Sequence, residues 1–288
     1  MNWHPVKIVL LVLLIFANLF LLGTAAGGKI EEDRQYEESA ATLSTLLATH
    51  GIDIDEAFLT VKDAPGGYHT FAAPIGDLMT SAATRLFGSP PTAVFLLPRG
   101  LCAEIDDGRS LTLSYDGQIT FSATDGASLP ASFSPVDEDD AVKADLALLS
   151  EKIALGMTEL VPVGVCETDS ETYYDCRQTL DDLPVFGSAC VFGLADGELT
   201  AAAGSLFLPG GVHTFTAAPC LDRMNIMLSE LRRGARGRVE SLSLCYAVYE
   251  NGERTKLFAY PAYEIVYATG DGTQTVCVCA LDGTRYSR

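Results

Sequence analysis

The chain has 288 residues, 48% of them hydrophobic, and a formal net charge of −19. This length and apolar content suffice for about two folded domains and exclude bulk disorder. The acidic balance argues against nucleic acid as a partner, because a negative surface repels the phosphate backbone. It fits a solubilising shell, or a partner that carries a basic patch or divalent cations.

The first predicted element is an N-terminal apolar run. Residues 6–26 form a stretch of 21 residues, near the roughly 20 that span a bilayer as a helix. Lys7 lies at the start of this stretch, before the uninterrupted apolar residues, and this bias favours an N-terminus inside the cell. We therefore predict a single transmembrane helix over residues 8–26. Asn18 is costly in hydrocarbon, and we expect it, with Phe16 and Phe20, to contact a neighbouring membrane helix.

A cleaved signal peptide is the competing interpretation of the same run. Its dense apolar core is short, and residues 23–26 (Gly-Thr-Ala-Ala) also fit a small-residue cleavage site. The residues leave both interpretations open. The anchor interpretation predicts that the short segment 1–7 is cytoplasmic, and both interpretations predict that the chain after residue 26 is extracytoplasmic.

The next part of the chain reads as a first lobe, residues 29–126. The patterns predict, in order, helix 31–49, strand 57–61, strand 69–72, helix 74–87 and β structure over 93–123. Asp116-Gly117 lies between two alternating runs, which is a strong hairpin signal because glycine accepts a positive φ.

A linker and a second lobe follow. Residues 127–138 are rich in Pro, Ser and Asp and are predicted to connect the lobes. For lobe 2, residues 139–288, the patterns predict helix 139–155, strands 159–165 and 185–195, helix 219–233 and three final strands, 241–249, 257–268 and 275–281.

A repeated motif supports this division into two lobes. Pro-Gly-Gly-x-His-Thr-Phe occurs at residues 65–71 and again at 209–215, an offset of 144 residues. Each copy leads into a helical pattern and then into β-rich sequence. We therefore expect an α+β fold in which two duplicated lobes, each with helices packed on antiparallel sheets, follow the N-terminal transmembrane helix.

Chemical motifs are few. The chain has no H-E-x-x-H, G-x-S-x-G, P-loop, G-x-G-x-x-G or EF-hand pattern, so we expect no catalytic residues, cofactor or bound metal, and no enzyme activity. His69 and His213, one in each motif copy, are the only candidates for a symmetric metal site. A structural role for each histidine within its own copy is the favoured reading. Tyr260 and Tyr263 could form an aromatic contact patch, although sheet packing explains them about as well.

The cysteines permit disulfides without specifying them. All eight lie between residues 102 and 279, and an even number in an exported chain allows full pairing. Cys166 and Cys176 flank a short polar segment, so we expect that they could staple a hairpin. Free buried thiols are equally compatible with a chain of this size.

Three parts of the sequence resemble the YycI family. These are the opening Met-Asn-Trp with its apolar run, the stretch from Leu183 to Ser188, and the final region from Leu257 to Gly283. The related YycH family shares this plan, with similar, PepSY-like α+β units. The resemblance implies a membrane-anchored, extracytoplasmic regulator of a YycG/WalK-type sensor histidine kinase, acting through its membrane helix together with a YycH-like protein.

Two other functions stay open. One is an exported PepSY-like module that binds a peptide or a protease at a sheet edge or groove. The other is a metal-dependent enzyme or sensor that uses His69 and His213, which requires the two side chains to lie within about 10 Å of each other.

Overall fold

The computed structural model describes residues 34–63, 66–72, 75–105, 108–122, 129–136, 140–153, 157–208, 212–250 and 256–286. The predicted membrane segment 8–26, with Phe16, Asn18 and Phe20, lies outside these residues, as does the cytoplasmic segment 1–7. All statements below concern the described ranges.

Strands outnumber helices in this part of the chain. The helices are α1 (34–49), α2 (Glu56–Thr60), α3 (Ile75–Phe87), α4 (Asp140–Ile153) and α5 (Arg223–Arg232). The strands of the first half are β1 (Ile52–Asp53), β2 (Gly67–Ala72), β3 (Ala93–Leu97), β4 (Gly100–Glu104), β5 (Ser110–Ser114), β6 (Gln118–Ser122), β7 (Thr158–Glu167) and β8 (Thr172–Leu180). Those of the second half are β9 (Leu183–Pro184), β10 (Ala189–Ala195), β11 (Glu198–Phe207), β12 (His213–Ala217), β13 (Gly237–Glu250), β14 (Lys256–Thr269), β15 (Gly272–Cys279) and β16 (Arg285–Tyr286).

The expected fold class is wrong. Strands make up 50% of the structure and helices 24%, so the protein is mostly β-sheet. Across the ranges given above, no helix has the length and apolarity needed to cross a membrane. The difference lies in the strands, because β8 was not predicted and β13 and β14 are longer than predicted, with 14 residues each.

Local signals set many element boundaries close to the prediction, but the predicted strand 185–195 begins only at Ala189 and the predicted helix 219–233 only at Arg223. Helix α3 begins at Ile75 and ends at Phe87, before Gly88, whose φ is +73°. The predicted strand 57–61 is instead the short helix α2. Asp55 caps this helix, because its side chain accepts a hydrogen bond from the Ala57 N–H at 2.9 Å.

The strands form two sheets. One has seven strands in the order β1-β13-β14-β15-β16, with β2 also paired to β14 and β12 paired to β2. The other has nine strands in the order β3-β4-β5-β6-β11-β10-β8-β7, with β9 paired to β8. Only the β1–β13 pair is parallel among the strand pairs described.

Both predicted lobes contribute to both sheets. Strands β3–β6 precede the predicted linker, yet β6 pairs with β11, which follows it. Likewise β2 joins the sheet that β12–β16 form at the other end of the chain. The boundaries 29–126 and 139–288 stay a prediction about independent folding, which strand pairing alone does not test.

Each sheet carries its own helices and its own core. Helices α3 and α4 pack on the nine-stranded sheet, where Ala83 and Leu149 meet Phe121 and Phe192. On the seven-stranded sheet, Leu47, Leu59 and Ile226 bring α1, α2 and α5 against β13–β15. Full burial of one such side chain contributes about 1.5–3 kcal/mol, so these two clusters dominate the stability of the fold.

A third cluster joins the two sheets. Phe71 of β2 and Leu257 of β14 belong to the seven-stranded sheet, and they pack with Leu180, Val185 and Phe207 from the nine-stranded sheet and its β8–β10 connection. Phe71 and Phe207 meet edge to face, with ring centroids 5.4 Å apart. This apolar contact fixes the two sheets against each other.

The predicted cysteine staple does not form. In the β7–β8 hairpin, Cys166 lies opposite Tyr173, whereas Cys176 lies opposite Pro162, near the middle of the pairing. The two thiols therefore do not face each other, and all eight cysteines are free.

Candidate functional site

The two copies of the repeated motif pair with each other. Strand β2 carries the first copy and β12 the second, and they run antiparallel. The register places His69 opposite Phe215 and Phe71 opposite His213. Residues one repeat apart are thus exchanged by a local twofold axis between the strands. The repeated motif therefore forms one two-stranded ribbon, β2 with β12.

This pairing brings the two predicted histidines together. The distance from His69 Nδ1 to His213 Nε2 is 2.7 Å, well inside the 10 Å limit that a shared site requires. The copies differ in their surroundings, however. His69 is buried in the joint between the sheets, whereas His213 lies on the edge strand and is half-buried.

The second ring nitrogen of His69 completes a polar cluster. Its Nε2 lies 3.1 Å from the Tyr246 hydroxyl and 3.1 Å from Oδ2 of Asp181. A carboxylate only accepts hydrogen bonds, so Nε2 of a neutral His69 carries the proton. Its Nδ1 is then the acceptor, and His213 Nε2–H donates to it. Burial, opposed by Asp181 and reinforced by His213, lowers the pKa of His69 and favours this neutral form.

The geometry of this cluster is that of a hydrogen-bond chain. Two nitrogens bound to one tetrahedral zinc at about 2.05 Å would lie about 3.3 Å apart, more than the observed separation. Both ring nitrogens of His69 are already engaged. Within the described ranges, no group of three histidine, cysteine, aspartate or glutamate side chains is arranged to hold a metal ion.

The predicted aromatic patch divides between core and surface. Tyr263 is fully buried among the residues that α1 and α5 cover, so it is not available to a partner. Tyr260 is half-buried and stacks with Phe258, with ring centroids 5.4 Å apart. The two tyrosines therefore do not form one contact surface. Tyr173 and Tyr174, two further adjacent tyrosines, are both buried.

The clearest exposed apolar feature is strand β3. It is an edge strand, paired only with β4. Its side chains Val94, Phe95, Leu96 and Leu97 are exposed by 36–76%, although successive side chains point to opposite faces. Among the described residues, both faces and one backbone edge of this strand are therefore open to a partner. Such an edge is a template for another chain.

The opposite edge of the same sheet is protected. Strand β7 also exposes Val161 and Val163, but Pro162 between them removes a backbone donor. A register shift interrupts its pairing between Pro162 and Gly164, and Ser134 bonds to Val165 from outside the sheet. These are devices that natural sheets use to prevent edge pairing, and residues 93–97 contain neither a proline nor a charge.

The sequence contains a signal for β3 that our reading did not use. The run Ala-Val-Phe-Leu-Leu follows Pro90-Pro91 and precedes Pro98, so prolines bound an uncharged apolar segment on both sides. The pattern predicts a strand, and the segment lies within the β structure predicted over residues 93–123. Its exposure depends on the strand order of the sheet, which no local pattern contains.

Comparison with known proteins adds little. No protein-family model matches the chain, and no curated protein matches it. Among solved structures, the chain is similar to the Bacillus megaterium YpeB C-terminal domain, with a TM-score of 0.30 and 9% identity. The match covers 75% of this chain and 97% of that domain. A likeness this low carries no argument, and the resemblance to the YycI family has no support from these comparisons.

Proposed function

We propose that this protein is a non-catalytic binding module that accepts an extended, apolar segment of a partner protein as an added strand beside β3. The observation that supports this function is the exposed, unprotected edge formed by residues 93–97. It corresponds to the sequence-based alternative of a module that binds a peptide at a sheet edge. Regulation of a sensor kinase through the predicted membrane helix, together with a YycH-like protein, is a separate hypothesis that the β3 edge does not address.

Backbone pairing supplies the affinity in this mode of recognition. Along an edge strand, alternate residues direct their N–H and C=O groups outward, and an added strand satisfies them. The five residues of β3 extend over about 17 Å, enough to pair a partner segment of similar length. The apolar side chains on both faces of β3 then select a partner strand that is itself apolar.

Charge favours a different protein over a second copy of this one. Each chain carries a net charge of −19, so two copies repel each other at low ionic strength. A partner segment flanked by lysine or arginine is attracted instead. The partner that fits is therefore an apolar strand of about five residues with basic flanks.

A peptide selection with matched variants tests this proposal. Peptides selected from a random library on the wild-type protein are titrated against Leu96→Lys and against Val212→Lys. Both residues are at least 70% exposed, but Val212 lies in the other part of the fold, before β12. Losing the burial of Leu96 under a peptide removes about 2 kcal/mol, or about 30-fold in affinity.

The expected result is a set of basic-flanked apolar peptides whose binding falls about 30-fold with Leu96→Lys and less than threefold with Val212→Lys. Hydrogen exchange should slow at residues 93–97 when a peptide binds. Equal binding by both variants would place the peptide elsewhere. A wild-type dimer that Leu96→Lys converts to monomer would make the second copy the occupant and contradict the proposed partner.

A further inference from the structure

A cleft lies between the two sheets, away from β3. Its volume is about 680 Å³, within the range of roughly 300–1,000 Å³ that small-molecule sites occupy. The connection between β9 and β10, residues 184–189, forms one wall. Strands β14, β15 and β16 form the other. The cleft is therefore built from both sheets.

Two opposite charges line this cleft without being used by the fold. Arg177 of β8 and Glu264 of β14 have no hydrogen-bond or ion-pair partner among the described residues. Arg177 acts on Asp175 only through its field, which opposes the burial that raises the pKa of Asp175. Arg285 also lines the cleft, but the fold already holds its guanidinium in an ion pair with the buried Glu230. Of the charged side chains described in the cleft lining, Arg177 and Glu264 are therefore the two without a partner.

The walls beside these charges are apolar and held in place. Phe186 and Tyr286 each pack against a buried cluster that contains Cys245 and Cys277. The Phe186 N–H donates to the Tyr246 carbonyl at 2.7 Å, which ties this wall to β13. A pocket that is formed before its ligand arrives loses little conformational entropy on binding.

We infer that this cleft binds a small zwitterion with an apolar side chain, of the size of an amino acid or a dipeptide. The Arg177 guanidinium pairs with the ligand carboxylate, which matches its two parallel N–H donors. The Glu264 carboxylate pairs with the ligand ammonium group. The side chain packs between Phe186 and Tyr286. A ligand with a single charge leaves one of the two protein charges without a partner.

Titration with L-alanyl-L-phenylalanine tests the inference. The probe is compared with its N-acetyl derivative and its C-terminal amide, up to about 10 mM, which covers the weak affinities of ligands of this size. The cleft variants are Arg177→Gln and Glu264→Gln. Their matched controls are Arg238→Gln and Glu240→Gln, which change exposed charges on β13 outside the cleft. Circular dichroism establishes that each variant is folded.

The expected result is saturable binding of the dipeptide that falls about tenfold when either ligand charge is blocked. Each cleft variant should lose about tenfold, and each control less than twofold. Absence of saturation in the wild-type protein, or dipeptide binding by the cleft variants that equals binding by the wild-type protein, would overturn the inference. Leu96→Lys should leave dipeptide binding unchanged, so the outcome is independent of the proposed function of β3.

Discussion

Gly67 is the position at which the repeated motif depends most directly on a missing side chain. A Cβ atom at Gly67 would overlap the carbonyl oxygen of Thr216 and lie 2.9 Å from Cα of Ala217. Both atoms belong to the backbone of β12, so no side-chain rotation relieves the overlap. Gly67→Ala must therefore push β12 away from β2. Gly66 offers a matched control, because its Cβ would meet nothing within 4 Å and its φ is not positive.

The expected cost follows from this geometry. Forcing a methyl group into a closely packed position costs about 1–3 kcal/mol. Loss of one or two backbone hydrogen bonds at that end of the β2–β12 pair adds about 1 kcal/mol each. We expect Gly67→Ala to lower the free energy of unfolding by about 3 kcal/mol. Gly66→Ala should raise it by about 0.5 kcal/mol, because alanine restricts the unfolded chain.

Urea denaturation followed by far-ultraviolet circular dichroism measures both changes. The two variants differ from each other only in which glycine of the motif carries the methyl group. A second measurement reports the cause: the imidazole nitrogen signals of His69 and His213 in ¹⁵N nuclear magnetic resonance should change in Gly67→Ala and stay unchanged in Gly66→Ala. Equal stability of the two variants would refute the argument that close approach of β12 requires a glycine at this position.

Two further predictions concern buried polar groups. The Gln178 side chain donates to the Thr158 hydroxyl and to the Phe207 carbonyl, and it accepts from the Phe207 N–H. In urea denaturation, Gln178→Leu should therefore lower the free energy of unfolding by about 3 kcal/mol, whereas Thr158→Val should lower it by about 1 kcal/mol. Equal losses would contradict this account. Burial lowers the pKa of His69, so the unfolded chain binds the proton first and stability should fall as pH drops below about 6.5. In His69→Phe the slope of unfolding free energy against pH should be shallower in that range, and an unchanged slope would contradict the assignment of the effect to His69.

The features that were predictable from sequence are those that neighbouring residues determine. Asp116-Gly117 and Asp196-Gly197 both lie at hairpin turns, and Gly117, Asp196 and Gly197 have positive φ. Helix α4 ends at Ile153, two residues before the predicted end. In each case the turn residues or the periodic apolar residues lie within about ten positions of one another, so the local sequence is enough to predict the element.

The features that were not predictable depend on distant pairing. A five-residue segment such as 56–60 is too short for periodicity to separate helix from strand, and the Asp55 cap decides it. The pairing of β2 with β12 joins residues 144 positions apart. Similar copies of a motif indicate duplication, but they do not say whether the copies fold separately or against each other. The exposure of β3 and the position of the cleft follow from that same strand order.

The joint between the sheets explains why the motif is repeated at these two places in the chain. Strand β2 is the last strand before the chain enters the nine-stranded sheet, and β12 is the first after it returns. The pairing of β2 with β12 therefore closes the middle of the chain, which forms the nine-stranded sheet, into one unit. Three residues of that unit contact the seven-stranded sheet: Asp181 contacts His69, and Val185 and Phe186 pair with Tyr246. The same connection forms a wall of the cleft, so the histidine pair and the cleft are joined through residues 181–189. A substitution that weakens the His69–Asp181 contact should therefore alter the cleft before it affects β3, because β3 lies at the edge of the nine-stranded sheet.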